Sequence, residues 1–212
     1  MALFKTFSAA AIAGVMASVS APASAATIQG LGSPGAAVSG TDVTVEDFTS
    51  SVGFSGTSLS LGGVTISSTG GELFSVSTDY AGQYNTTGAS LQSPVGYPSE
   101  FRFDFATATD AFAFNFGASD TDWTIAAYSA GNSLIDSLTF AAVSASNAGE
   151  YFGISGSGIS YALLTAASPN DYILLDNLTY NGAAPVPLPA AAWMLIAGLG
   201  GLVGVRRLRR AA

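Results

Sequence analysis

Apolar and polar residues alternate in short segments along most of the chain between residues 26 and 184. The clearest examples are segments 101–105 and 112–116, where phenylalanine occupies every second position. Alternation with a period of two is typical of strands that bury one face. Gly, Ser, Asn and Asp residues separate about ten such segments, and helical periodicity is almost absent. The pattern therefore predicts an all-β domain built as an antiparallel β-sandwich.

Three stretches carry further expectations. Segments 101–105 and 112–116 flank residues 106–110, so we expect them to form a hairpin whose phenylalanines share one face. Residues 27–40 are rich in Gly and Ala and predict an irregular lead-in to the first strand. Residues 78–100 form the longest stretch without alternation, and a loop of this length is uncommon unless it is mobile or functional.

Residues 1–25 have the three parts of a secretory signal peptide. Lys5 supplies the positive charge, and an apolar run of helix formers extends over residues 9–19. Ala23 and Ala25 are the small residues that signal peptidase admits at a cleavage site. An uncleaved membrane anchor is the alternative, but the apolar run is too short to span a bilayer. We therefore expect residues 1–25 to form a signal helix that is removed by cleavage after Ala25.

Residues 185–212 contain a proline-rich motif, an apolar segment and an arginine cluster, in that order. The apolar segment, residues 190–205, predicts a transmembrane helix of about 24 Å, which spans a thinned bilayer when its terminal arginines reach the interface. Arginines mark the cytoplasmic side, so we expect residues 26–184 to lie outside the cytoplasmic membrane. The motif consists of Val186, Pro187, Leu188, Pro189 and Ala190, and the cluster of Arg206, Arg207, Arg209 and Arg210.

This tail resembles the VPLPA-type variant of the PEP-CTERM sorting domain, which occurs on exported proteins of Gram-negative bacteria. The commoner form of that domain has Glu at the position of Leu188. The resemblance implies that an exosortase, a membrane-embedded protease, recognises the tail of the exported chain. It also implies anchoring in the cytoplasmic membrane before sorting to the cell surface or the extracellular space. A plain C-terminal anchor with a proline-rich stalk is the alternative.

Composition and charge exclude several kinds of chemistry. The chain contains no Cys and no His, which rules out a thiol nucleophile, a disulfide, a histidine-ligated metal and a Ser-His-Asp triad. Residues 26–184 contain 14 acidic residues and a single cation, Arg102. Because each phosphate contact needs a cation, we expect no binding to nucleic acid.

The body of the chain resembles, more loosely, the jelly-roll domains that PEP-CTERM proteins often carry and that are similar to carbohydrate-binding modules. The residues that carry this resemblance lie in segments 101–105, 111–116, 151–154 and 175–180. We therefore expect a jelly-roll-like sandwich over residues 26–184, between the signal helix and one C-terminal transmembrane helix.

Two carboxylates occur at positions that would share a strand face with apolar residues. Asp176 is two residues from Leu178, and Asp47 is two residues from Val45. If these faces point inward, both acids are buried and need partners. Calcium accepts only oxygen ligands and suits a chain that is poor in cations. Jelly-roll carbohydrate-binding modules often hold a structural calcium between their first and last strands, and the resemblance implies Glu46, Asp47 and Asp176 as its ligands. The alternative is that these acids lie solvated at strand ends, and no other cofactor is required.

The predicted function is structural or adhesive and non-catalytic, at the cell surface or in extracellular polysaccharide. The first alternative is a calcium-dependent carbohydrate-binding module, with Tyr80, Tyr84 and Tyr97 of the long loop as candidates for sugar stacking. Trp123 and Tyr128 are further aromatic candidates, although a tryptophan within a strand more often serves packing.

A secreted glycoside hydrolase is the second alternative, because that reaction requires only two carboxylates. No spacing along the chain marks such a pair. Asp120 and Asp122 lack the full spacing of an EF-hand loop, and we interpret them as turn residues that accept hydrogen bonds from the backbone.

Overall fold

The computed structural model describes residues 24–40, 42–93 and 99–182, and these belong to one compact unit. The predicted signal peptide up to Ala23, the sorting motif, the transmembrane segment, the arginine cluster and Tyr97 lie outside the described residues. Among the residues that are described, no helix is long and apolar enough to cross a membrane.

The described ranges form an all-β structure in which every strand pairing is antiparallel. Two single-turn 3₁₀ helices, Pro34–Ala36 and Thr49–Ser51, interrupt the strand order. The strands found in these ranges are β1 Ala26–Gly30, β2 Thr44–Glu46, β3 Ser55–Gly56, β4 Ser58–Ser60, β5 Val64–Ser68, β6 Phe74–Ser77, β7 Ser90–Gln92, β8 Glu100–Gly117, β9 Trp123–Tyr128, β10 Leu134–Phe140, β11 Tyr151–Ala166 and β12 Leu174–Tyr180.

The long strand β8 bends back over itself. The rings of Phe103 and Phe114 stack with centroids 5.8 Å apart and planes 10° apart, and those of Phe105 and Phe112 lie 5.4 Å apart. A straight strand would separate the first two residues by about 36 Å. The two halves of β8 therefore face each other across the core.

The bend in β8 divides the hydrogen-bonded sheet into two parts. In the first part the strand order is β4-β5-β8-β11-β9-β10, and β8 contributes residues 100–105. In the second part the order is β1-β11-β8-β12, and β12 continues to β2 and to β7-β6-β3. Strand β11 crosses between the parts where its register shifts, between Ser155 and Tyr161. Two facing antiparallel parts are compatible with the predicted β-sandwich.

The predicted hairpin of segments 101–105 and 112–116 is wrong, because both belong to the single strand β8. The linking residues, Ala106-Thr107-Ala108-Thr109-Asp110, contain no Gly or Pro and no residue with a positive φ. They bend the strand instead of reversing it in a tight turn. The phenylalanines nevertheless point inward from both halves, as the alternation predicts.

Two of the stretches without alternation are more regular than expected. Residues 27–40, predicted as an irregular lead-in, contain most of β1, which pairs with β11 from Ala26 to Gly30. Residues 78–100, predicted as a loop, contain the short strand β7. Both strands are supported by pairing with distant segments, a contribution that local alternation does not record.

The core is unusually aromatic. Fully buried rings of Phe103, Phe114 and Phe116 lie at its centre, and Phe140 stacks on Phe152 with centroids 3.9 Å apart. Aromatic side chains bury large areas and gain further from offset or edge-on contacts. A chain without disulfides thus obtains its stability from the packing of these rings.

We expect Phe114→Ala to destabilise the fold by about 3–5 kcal/mol, because the cavity removes the contacts of a fully buried ring. Leu73→Ala is the control, since Leu73 is 55% exposed, and it should change stability by less than about 0.5 kcal/mol. Urea denaturation followed by tryptophan fluorescence measures both values. Equal effects of the two substitutions would contradict this description of the core.

Candidate functional site: a cleft lined by asparagine and threonine

A cleft of about 570 Å³ lies over the outer face of β8 and β12 in the second part of the sheet. Its floor comes from these strands and its walls from three loops, around residues 32–33, 82–87 and 147–149. Every residue along its wall and floor is uncharged: Gly32, Ser33, Gly82, Asn85, Thr86, Thr87, Asn115, Asn147, Ala148, Gly149 and Asn177.

A bulge in β12 shapes the floor. Asp176 lies opposite Asn115 of β8, and the register then shifts before Thr179. At the bulge Asn177 has φ of 49°, a left-handed conformation that Asn tolerates better than most residues. Its side-chain amide donates to Asn115 Oδ1 at 3.0 Å and to Thr87 Oγ1 at 3.3 Å.

Asn115 joins the floor to two of the walls. Asn115 lies between Phe114 and Phe116 of β8, so its side chain points outward where the two phenylalanines point inward. It is nevertheless only 3% exposed. The amide Nδ2 donates to the carbonyl oxygens of Gly32 at 2.9 Å and of Gly149 at 3.1 Å. Buried amides with this many partners have one orientation only, so the floor is held rigidly.

Asn85 and Asn147 fix the third wall. Asn85 Nδ2 donates to the carbonyl oxygen of Phe116 at 2.8 Å, and its Oδ1 accepts from the backbone N–H of Gly149 at 2.8 Å. Asn147 Oδ1 accepts from the N–H of Asn85 at 3.1 Å, and its Nδ2 donates to the carbonyl of Gly82 at 2.9 Å. The loops around the cleft are therefore tied to one another and to the sheet.

Asp176 lies beneath the loop wall and is 1% exposed. Its Oδ2 accepts from the N–H of Thr87 at 2.7 Å and from Thr87 Oγ1 at 3.0 Å, and its Oδ1 accepts from the N–H of Asn177 at 2.6 Å. Burial raises the pKa of this carboxyl, and the hydrogen bonds from Thr87 and Asn177 oppose the shift. The N–H and O–H donors are thus the partners that this buried carboxylate requires.

Asp176 is buried, as its alternation with apolar residues suggests, but on the outer face of the sheet and not in the core. Because of the bulge, Leu178 and Tyr180 point into the core, whereas Asp176 shares the outer face with Asn115. The loop that contains Thr87 covers it there. A bulge reverses the parity of every residue beyond it, and alternation in sequence alone does not locate one.

The face of Asp47 points to solvent, so the condition for its burial is not met and Asp47 matches the alternative of a solvated acid at a strand end. Val45, on the same face, is 52% exposed, and Asp47 Oδ1 accepts from the N–H of Thr49 at 3.0 Å in a turn. Glu46 Oε1 accepts from the hydroxyl of Tyr180 at 3.2 Å. Burial, together with the neighbouring Glu46 carboxylate, raises the pKa of Tyr180 to about 12.

The three predicted calcium ligands therefore have different partners. Within residues 24–40, 42–93 and 99–182, no three carboxylates are grouped so as to hold a metal ion. Calcium binding by Glu46, Asp47 and Asp176 stays a prediction.

The tyrosines of the long loop pack against each other. Tyr80 contacts Tyr84 and Tyr172 edge-on, each with centroids 5.8 Å apart, while Tyr97 lies outside the described residues. The same loop supplies Asn85 and Thr87 to the cleft. The structure thus connects the loop to the candidate site through its polar residues.

The sequence pattern did not predict that Asp171 is a buried carboxylate. Its carboxylate accepts from the N–H of Asp120 at 2.8 Å and from Trp123 Nε1 at 2.7 Å. Trp123 is fully buried and contacts Phe116 edge-on, so it serves packing. Asp122 Oδ1 accepts from the N–H of Ala142 at 3.2 Å, in keeping with its interpretation as a turn residue.

The asparagines of the cleft were also missed. Asn115 and Asn177 each interrupt a run of apolar and aromatic residues in a predicted strand, and a polar amide in such a position indicates a specific partner. Asn85 and Asn147 lie in loops where Asn is common, so no comparable signal marks them.

We expect Asp176→Asn to gain stability relative to the wild type as the pH rises above the ordinary carboxyl pKa of 3.8. With its pKa raised by folding, the native state holds the proton more tightly than the unfolded state, so the wild type loses this contribution as the pH increases. The free energies of unfolding of both proteins, measured in urea at about pH 3.5 and about pH 7.5, test this difference. Parallel pH profiles would contradict it.

No family model and no curated protein matches this chain. Among solved structures, the chain is similar to the family 11 carbohydrate-binding module from Clostridium thermocellum, in complex with a β-1,3-1,4-mixed-linked tetrasaccharide. The two share 14% identity with a TM-score of 0.32, over 70% of this chain and 100% of the other.

Proposed function

We propose that this chain is an exported, non-catalytic protein with a structural or adhesive role, whose β-domain binds neutral glycans in the asparagine-lined cleft. The observation that carries the proposal is the set of uncharged amide and hydroxyl groups that surround a cleft of about 570 Å³. Ligand sites typically enclose about 300–1,000 Å³. A cleft of this size accommodates one or a few sugar rings.

The chemistry of the lining favours hydroxyl groups as the ligand. Amides donate and accept hydrogen bonds at the same time, which matches the dual character of a sugar hydroxyl. An anionic ligand would need cations, but the lining is neutral and residues 26–184 carry 14 acids against one arginine. Long-range repulsion therefore disfavours acidic sugars and phosphates.

The rigidity of the cleft supports a binding role. Asn85, Asn115 and Asn147 are held by hydrogen bonds to the backbone of neighbouring loops. Polar groups that are already oriented lose little conformational entropy when a ligand binds. Glycoside hydrolysis would need two carboxylates on either side of a glycosidic bond, and neutral residues line the cleft.

Export and sorting are the second element of the proposal. Strand β1 begins at Ala26, the residue that follows the proposed signal peptidase site at Ala25. Strand β12 ends at Tyr180, shortly before the Val186–Ala190 motif that we propose as the exosortase signal. Cleavage at both sites would leave the described strands intact. We further propose that these strands form a jelly-roll-like sandwich outside the cytoplasmic membrane.

Ala148→Trp should weaken glycan binding by about tenfold or more, because an indole on the exposed wall of the cleft fills the space without removing a hydrogen bond. Ala145→Trp is the matched control, since Ala145 is also exposed and lies three residues earlier in the same loop. Affinity electrophoresis of the full-length chain in gels containing hydroxyethyl cellulose, galactomannan or dextran measures the retardation. Equal retardation of both variants would argue against the cleft as the site.

Deletion of residues 186–190 should leave the C-terminus unprocessed. Proline restricts its own φ and disfavours a helix at the residue before it, and proteases bind their substrates in extended form, so we propose that an exosortase recognises these five residues. Intact-mass measurement of the exported protein from the native host compares the deletion variant with the wild type. A wild-type mass that already includes the whole C-terminus would refute processing at this site.

A further inference from the structure

The outer face of the first part of the sheet carries a second group of side chains with unexpected order. Tyr161 of β11 lies opposite Tyr128 of β9 on one side and opposite Asp104 of β8 on the other. Arg102 is the next outward residue of β8. We call Arg102, Asp104, Tyr128 and Tyr161 the tyrosine face.

These four side chains form a continuous stack. The rings of Tyr128 and Tyr161 lie parallel, with centroids 4.9 Å and planes 10° apart. The guanidinium of Arg102 lies 3.8 Å from the centroid of Tyr161. Its Nε donates to both oxygens of Asp104 at 2.9 and 2.8 Å, and its Nη2 donates to Asp104 Oδ1 at 2.7 Å. The hydroxyl of Tyr161 donates to Asn132 Oδ1 at 3.1 Å.

Burial alone does not explain this arrangement. The side chains of Arg102 and Asp104 are 36% and 45% exposed, and an exposed ion pair adds little to stability. Arg102 is also the sole cation among the residues that the structure describes. A strongly acidic domain thus holds its one described positive charge at a fixed position on a solvent-facing surface.

The tyrosine face has the chemistry of a site for neutral sugars. The Arg102–Asp104 pair offers N–H donors and carboxylate acceptors side by side, which suits two neighbouring hydroxyls of a pyranose ring. Tyr128 provides an aromatic surface for the C–H groups of the sugar. Because the pair has no net charge and the domain is acidic, a neutral glycan fits this face better than an acidic one.

Hydroxyl residues lie on the strands beside the stack. Four hydroxyl residues lie near it: Thr65 and Ser67 on β5, opposite Asp104 and Arg102, and Thr165 and Thr124 on β11 and β9, in the row of Glu100. All four are partly exposed. A glycan chain that crosses from β8 to β5 would therefore meet hydroxyls directly beside the Arg102–Asp104 pair.

We propose that the tyrosine face is a second binding site for neutral glycan and that the domain is bivalent. The cleft lies on the outer face of the second part of the sheet, and the tyrosine face lies on the outer face of the first part. The core of facing phenylalanines separates them. Two sites on opposite sides of one domain join two different glycan chains, so the protein cross-links extracellular polysaccharide. This inference rests on the proposed function of the cleft.

The test measures binding and cross-linking separately. Full-length protein is placed in lipid nanodiscs that hold one copy each, with the copy number checked by light scattering. Affinity electrophoresis with hydroxyethyl cellulose, galactomannan and dextran reports binding, and the turbidity of mixtures with the same polymers reports cross-linking. The variants are Tyr128→Leu for the tyrosine face, Ala148→Trp for the cleft, and the combination of both. Val52→Ala, a change at a residue that is 51% exposed and belongs to neither site, is the control.

We expect both single variants to lose turbidity. Tyr128→Leu should keep the affinity of the cleft, Ala148→Trp should keep only the roughly tenfold weaker binding of the tyrosine face, and the combined variant should lose this residual binding as well. If Ala148→Trp alone abolishes binding, or if Tyr128→Leu leaves turbidity unchanged, the second site is refuted and the cleft stands. If the wild type binds none of the polymers, the proposed function fails as well. Arg102→Gln, which retains both tyrosines, replaces Tyr128→Leu if circular dichroism shows that the latter does not fold.

Discussion

The bend in β8 is the constraint on which the rest of the structure depends. Phe103 stacks on Phe114 and Phe105 contacts Phe112, so one strand contributes side chains to the core from both sides. Since side chains alternate along a strand, the residues between these phenylalanines must point outward on opposite sides of the domain. Arg102 and Asp104 are thereby placed on one outer face and Asn115 on the other. Both proposed sites follow from the same strand.

Neutral hydrogen-bonding groups take the place that charged pairs occupy in many proteins. Asn115 and Asn85 connect loops to the sheet, and buried Asp176 and Asp171 accept from N–H and O–H donors. Such networks are costly when incomplete and rigid when complete. A domain with a single arginine in residues 26–184 thus achieves polar order without salt bridges at the cleft, and the same order prepares the cleft for an uncharged ligand.

The amino-acid sequence predicts the structure correctly where the signal is local and periodic. Alternation in β5, in the first half of β8 and in β9 predicts strands with one buried face, and the structure shows it, whereas the second half of β8 is buried on both faces. The prediction is wrong where pairing with a distant strand determines the conformation. The link at residues 106–110 bends a strand instead of closing a hairpin, and the bulge at Asn177 turns Asp176 to the opposite face. Alternation in the neighbouring residues predicts neither the bend at residues 106–110 nor the bulge at Asn177.

By itself, the amino-acid sequence determined the all-β class, the inward phenylalanines, the acidic and cation-poor body, and the exclusion of cysteine and histidine chemistry. These are properties of composition and of nearest neighbours along the chain. Only the tertiary structure decided that Asn85, Asn115, Asn147 and Asn177 surround one cleft, and that Arg102 stacks on Tyr161. Those groups come together through pairings between strands far apart in sequence, whose register depends on bulges and bends that alternation does not encode.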